Sequence, residues 1–164
     1  MKRGIPPSRI FCSLLAGCLL FLVFSGCAHQ GQTAPAPAAA KGINPSGQDG
    51  VFIHLSHGAD APQRVSMALS LADTYADSHP VLLYFDIRGI DVVVRDGPDI
   101  EHKAFRSTQS LLDSLRGRGV ILMACPSCLK AAGHAPEDLI EGVQTADKER
   151  FLNFASGRIL TVDY

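Results

Sequence analysis

Two cysteines three residues apart, Cys125-Pro126-Ser127-Cys128, are the residues of this chain best suited to chemistry. They follow a β-rich apolar run, VILMA at 120–124, and precede a short helical segment at 127–132 that stops at Gly133. Backbone N–H groups at a strand-to-helix junction stabilise a thiolate and bring a cysteine below its free value of about 8.5. Pro126 offers no N–H, but its fixed φ suits a first helical position. Cys128 is near enough to form a disulfide with Cys125 or to resolve a mixed one. Three plainer uses of the pair stay open: a buried core cysteine, a structural disulfide, and half a metal site. A structural zinc takes four ligands, and only two thiolates with His134 six residues on are offered, so neither a metal nor a cofactor is expected. His57, on the loop after the first strand, is a candidate partner for Cys125, against the alternative of an ordinary loop histidine. Asp86 follows the second strand and is placed to line the same crevice, whereas a loop aspartate such as Asp60 more often satisfies local backbone donors. No phosphate loop, HExxH, GxSxG or paired-carboxylate pattern occurs.

The elements that must position these residues read as strands alternating with helices. Strands are expected at 51–55, 81–85, 120–124 and 158–162, and the run 90–94 reads as a further strand or a continuation after a bend at Gly89. Val65, Ala68, Leu69, Ala72 and Ala76 recur at helical spacing over 62–77. A second helix is expected over 103–118 with Phe105, Leu111, Leu112 and Leu115 buried. Pro136-Glu137-Asp138 opens another turn of helix through Ile140. Thr145 is placed to cap a last helix at 146–156 with Phe151, Leu152 and Ala155 inward. Alternation of this kind implies a single α/β domain, a mainly parallel sheet with helices on both faces. Such sheets react at the carboxyl ends of their strands, where Cys125 lies. The pair comes about 75 residues into the domain rather than after an early strand, which argues against a thioredoxin order.

Ahead of the domain, Lys2, Arg3 and Arg9 precede an uncharged run from Ile10 to Phe24, the pattern of a secretory signal. The run is shorter than the ~20 residues needed to span a bilayer as a helix. It ends in Ser25-Gly26-Cys27, which resembles a bacterial lipobox and implies lipidation of Cys27. Leu15-Ala16-Gly17-Cys18 fits that motif too, but cleavage there strands Leu19–Phe24 on the mature chain. The expected organisation is a signal at 1–26, a lipidated cysteine and tether at 27–49, and a domain at 50–164. Of residues 28–50, 13 of 23 are Ala, Pro or Gly, too little apolar side chain to offset ordering. The expected location is the periplasmic side of a bacterial membrane, lipid-anchored. Ala28, in place of an aspartate, favours the outer membrane. Loss of the signal takes the formal net charge from -1 to -4 and two of five cysteines, leaving only Cys125 and Cys128 beside the anchor. A mildly acidic chain of this kind carries no basic nucleic-acid footprint, and its cysteines are too few for a disulfide-built scaffold.

The segment ACPSCLKAAGHAPEDLIEGV, residues 124–143, resembles the signature of the DsrE/DsrF-like superfamily. The resemblance implies that Cys125 occupies the sulfur-accepting position, eight residues before Gly133, and Cys128 the extra cysteine of a CxxC subgroup. Asp138, Leu139, Gly142 and Val143 match the motif's tail, and the loop SHGAD and the segment FLNFASGRI fit the layout over roughly 50–164. The family usually carries an arginine where this chain has Ala132, which removes a basic group suited to holding a thiolate or persulfide. The resemblance implies a homo-oligomer, a trimer or hexamer. The implied function is an exported thiol protein that handles sulfane sulfur or disulfides through Cys125, with Cys128 resolving or protecting. Its partner is a small sulfur species or a thiol-bearing protein, and its membrane contact is the lipid anchor alone. The alternative is a non-catalytic oligomerising or ligand-sensing module stapled by a CxxC disulfide.

Overall fold

Four of the five strands are short runs of branched and aromatic side chains, and all five pair in parallel. In the computed structural model, which describes residues 47–164, they are β1 (Gly50–Leu55), β2 (Val81–Phe85), β3 (Ile121–Ala124), β4 (Val143–Thr145) and β5 (Ile159–Asp163). Their order across the sheet is β4-β3-β2-β1-β5. Parallel strands need crossovers, and helices supply them: α1 (Pro62–Tyr75), α2 (Thr108–Gly117), α3 (Pro126–Ala131) and α4 (Lys148–Phe154). The sheet is therefore a single α/β layer with helices on both faces, as the alternation predicts. The signal at 1–26, Cys27 and nearly all of the tether lie outside the described residues. No described helix is long and apolar enough to cross a membrane.

Strand periodicity sends alternate side chains to opposite faces. Val51, Ile53, Leu55, Leu83, Phe85 and Leu122 join the larger core with Val65, Leu69, Leu112 and Leu115 from α1 and α2. The opposite face is thinner. Leu82, Met123 and Phe154 are buried there, with Phe52, Tyr84 and Phe151 only partly covered. Tyr84 stands edge-on to Phe151 at 5.2 Å between centroids and stacks with Phe52 at 6.3 Å.

Four expectations are corrected. Residues 90–94 are not a strand: Ile87–Val92 is a 3-10 helix. Both edges of β2 are already taken by β1 and β3, so Ile90, Val92 and Val93 are buried by packing rather than by pairing. The helix expected from 103 starts at Thr108, because Ser107 caps it and Asp99 accepts from Gln109 N–H and the Thr108 hydroxyl, both at 3.0 Å. Phe105 is then half-exposed and outside the buried set. Thr145 ends β4, a strand too short for its pattern to register, and Asp147 caps α4 instead, accepting from Arg150 N–H at 2.9 Å. In that helix Phe154 faces inward, while Leu152 is 63% exposed and Ala155 is exposed too.

Candidate functional site

Cys125 continues the sheet by one residue. Its N–H donates to Phe85 O at 2.8 Å, the next rung after the Phe85–Ala124 pair, and its carbonyl accepts from Leu129 N–H at 2.9 Å to open α3. Its backbone is still extended, φ -62 and ψ 117, so Cys125 is the N-cap. In that position the side chain of Ser, Thr or Asp ordinarily accepts from an unpaired N–H of the first turn; here Sγ does so, from Cys128 N–H at 3.4 Å. Pro126 at the first helical position fixes the turn, and Gly133, at φ +85, closes it in a conformation that other residues resist.

Around Sγ the donors converge. Burial works against a charged sulfur, but the Tyr84 hydroxyl, the Cys128 thiol and the N–H groups of Cys128 and Ser127 outweigh it and hold Cys125 below its ordinary value. Tyr84 is placed by register: it pairs with Met123, two residues before Cys125, on the thinner face of the sheet. Its own burial and the adjacent Cys125 sulfur push the Tyr84 phenol well above its ordinary value, so it remains a donor at every physiological pH. Sequence reasoning missed Tyr84, because only strand register brings it to the cysteine.

Cys128 has a different surrounding. The Ile87 N–H favours its ionisation, but the neighbouring Cys125 thiol, its burial and the charges of Cys125 and Asp86 prevail and raise it above the ordinary value. The two thiols are both free and half-buried. Ile87 holds a left-handed backbone, φ +46, a conformation that costs a β-branched residue about 1–3 kcal/mol.

Beside the thiols is a charged cluster. His54 Nδ1 hydrogen-bonds Asp163 Oδ1 at 3.0 Å, and its Nε2 lies 2.9 Å from Asp86 Oδ1, an ion-pair contact off hydrogen-bond geometry. The His54 ring stacks on Tyr84 at 5.8 Å. Burial disfavours the imidazolium, but the two carboxylates win and raise His54 above 6.5. Asp86, expected to line the crevice of Cys125, lies against His54, and its charge reaches Cys128. His57, in contrast, has Ser56 Oγ as its hydrogen-bond partner at 3.2 Å, not Cys125. Asp60 satisfies Gly58 N–H at 2.8 Å, the local role of a loop aspartate. His134 lies 3.8 Å from Asp138, and no group of three metal-type side chains forms among the described residues. A cavity of about 400 Å³ lies at the opposite, amino ends of β2 and β3. Its Arg118 is already paired with Asp73 and Asp77, and it has no part in the thiol chemistry.

The profile of the DsrE/DsrF-like family matches residues 49–160. A protein of unknown function from Methanobacterium thermoautotrophicum, MTH1491, superimposes with a TM-score of 0.53 at 22% identity, over 70% of this chain and all of that one. The ychN protein from E. coli does so with a TM-score of 0.50 at 16% identity, over the same shares. At these identities the likeness is one of fold. No curated protein matches the chain.

Proposed function

The chain belongs to the DsrE/DsrF-like family, and on that premise we propose that it is a thiol protein that accepts sulfane sulfur, or exchanges disulfides, through Cys125. The observation that carries this reading is the place of Cys125 Sγ: at the carboxyl end of β3 it caps α3, accepting from Cys128 N–H at 3.4 Å, and the Tyr84 hydroxyl from the neighbouring strand helps hold the thiol below its ordinary value. A thiolate, not a thiol, is the nucleophile in sulfur transfer. In the step proposed, the Cys125 thiolate attacks a sulfur of a polysulfide. A new S–S bond forms, the old one breaks, and the shortened polysulfide leaves with the electron pair. The same donors then hold the anionic persulfide. Tyr84 O–H supplies, from the neighbouring strand, a donor where Ala132 leaves the family's basic residue missing. Small sulfur species or a thiol-bearing protein are the partners.

The reading extends to location and assembly. The basic start, the apolar run and Ser25-Gly26-Cys27 support export and lipidation at Cys27, with the tether to 49 holding the domain off the periplasmic face of the outer membrane. The family resemblance supports a homo-oligomer. Brief treatment of the reduced protein with polysulfide, read by intact mass, tests the chemistry. A gain of about 32 Da is expected in Cys128→Ala and none in Cys125→Ala. Equal gain in both variants would sink the assignment to Cys125.

A further inference from the structure

The two edges of the sheet are built differently. β4, at one edge, is three residues long, Val143–Thr145, and so short a strand offers little to a neighbour. β5, at the other, runs for five residues, Ile159–Asp163, and among the described residues only β1 borders it. Its backbone groups divide by parity. Gly50 N–H donates to Arg158 O at 2.9 Å, Tyr164 N–H to His54 O at 2.9 Å and Ser56 N–H to Tyr164 O at 3.0 Å, so the even-numbered residues of 158–164 face β1. In a parallel ladder the residues between them point the other way. The N–H and C=O groups of Ile159, Thr161 and Asp163 are therefore turned outward, and among the described residues no second strand takes them up. Nothing blunts this edge in the usual ways: from Ile159 to Val162 there is no charge, proline, glycine or bulge. Leu160 is 52% exposed, and Thr161 is exposed too. An open edge of apolar and β-branched residues is a place for strand addition.

We propose that a second copy of this chain occupies that edge, β5 against β5, antiparallel about a two-fold axis at Thr161. This rests on the homo-oligomer reading, whose contact it names, and not on the thiol chemistry. The outward groups select the pairing. Turned about Thr161, Thr161 faces Thr161 and Ile159 faces Asp163, so every outward residue meets another outward residue and about six hydrogen bonds form. Slipped by one residue, the same groups would meet N–H and C=O already bonded to β1. The side chains agree with this register. Leu160 and Val162, on the face shared with Val51 and Ile53, come opposite each other, which covers the half-exposed Leu160. Arg158 faces Tyr164 and Asp163 faces Ile159, so like charges are nowhere opposed. A parallel pair in register would instead set Asp163 beside Asp163. The chain's own tether is a poor occupant, because Pro35, Pro37 and Pro45 have no N–H to give to a ladder. The two sheets become one continuous sheet across the axis, and a self-complementary contact of this kind closes at two copies.

Cross-linking in the full chain tests the register. Cys125 and Cys128 are replaced by alanine so that they cannot compete. In that background Thr161→Cys lies opposite its own copy at about 5.5 Å between Cα atoms, within reach of a disulfide. Mild oxidation is expected to link it into dimers and to leave the parent without Thr161→Cys unlinked. Leu160→Cys has its own copy only on the diagonal, about 7–8 Å away, and should link at least about tenfold less. Sedimentation of the detergent-purified full chain is the second measurement. Leu160→Lys alters an exposed side chain and is expected to at least halve the mass of the oligomer. Thr161→Pro removes an N–H that faces away from β1 and should do the same; if it fails to fold, Leu160→Lys decides. Absence of linking in Thr161→Cys, equal linking at 160 and 161, or a folded Leu160→Lys of wild-type mass would each overturn the β5 contact. A monomeric wild type would overturn the homo-oligomer reading and this contact with it, whereas an oligomer unmoved by the edge variants overturns the contact alone.

Discussion

A thiol becomes a nucleophile at neutral pH only if something other than water stabilises its anion. At Cys125 the structure supplies that from two strands and a helix start, and Tyr84 is the part that can be removed with least disturbance. Tyr84→Phe keeps the ring against Phe52 and Phe151 and deletes one hydrogen bond to a charged sulfur. The Cys125 labelling midpoint should rise by about one pH unit, with thermal stability little changed. His54 makes a second residue-scale prediction. Its folded value is raised, so its contribution to stability is complete below the unfolded value near 6.5 and is lost as pH rises through the folded one. Wild type minus His54→Gln, compared by urea midpoint, should shrink across that window; a difference that grows with pH would refute the imidazolium between Asp86 and Asp163. The cysteine pair was readable in the sequence because its spacing and its place after VILMA are local. Tyr84, His54 and Ile87 were not, because register across β1, β2 and β3 and one left-handed φ bring them to the site, and neither is written in local pattern.

The turn between β2 and the 3-10 helix carries the geometry at the next scale. Gly89 touches Leu55 O, and backbone rather than a flexible side chain is what a Cβ would meet. Gly89→Ala should therefore cost at least about 2 kcal/mol by denaturant titration. A neutral effect would mean that the turn is not fixed by its contact with β1. The central strands were legible as continuous apolar runs, β2 to the residue, because parallel strands covered on both faces show them. The same logic misread 90–94, where Ile90, Val92 and Val93 fill the core and Val94 makes only an isolated bridge, to Leu139. Helix ends were misplaced where caps decided them: Ser107 with Asp99, and Asp147, override the periodicity that suggested starts at 103 and 146.

For the whole molecule, the arrangement places the thiols at one end of a five-stranded parallel sheet. The cavity with His79 and Arg118 is at the other end. The alternation of strands and helices was enough to read this architecture, and the motif at 124–143 was enough to read the family. The proposed location rests on the first 27 residues. If Cys27 is the anchor, metabolic labelling with a fatty acid should mark the wild type and not Cys27→Ser, and the variant should leave the membrane fraction; labelling of Cys27→Ser would move the anchor elsewhere.

The central claim is that Cys125 is a stabilised thiolate open to attack a sulfur substrate. Alkylation of the native, reduced protein across pH, with Cys125 and Cys128 resolved by mass, tests it most directly. The account predicts that Cys125 labels in the folded state with a midpoint below the ~8.5 of a free cysteine, and ahead of Cys128. A midpoint at or above that value, or no labelling of Cys125 until the protein unfolds, would contradict it.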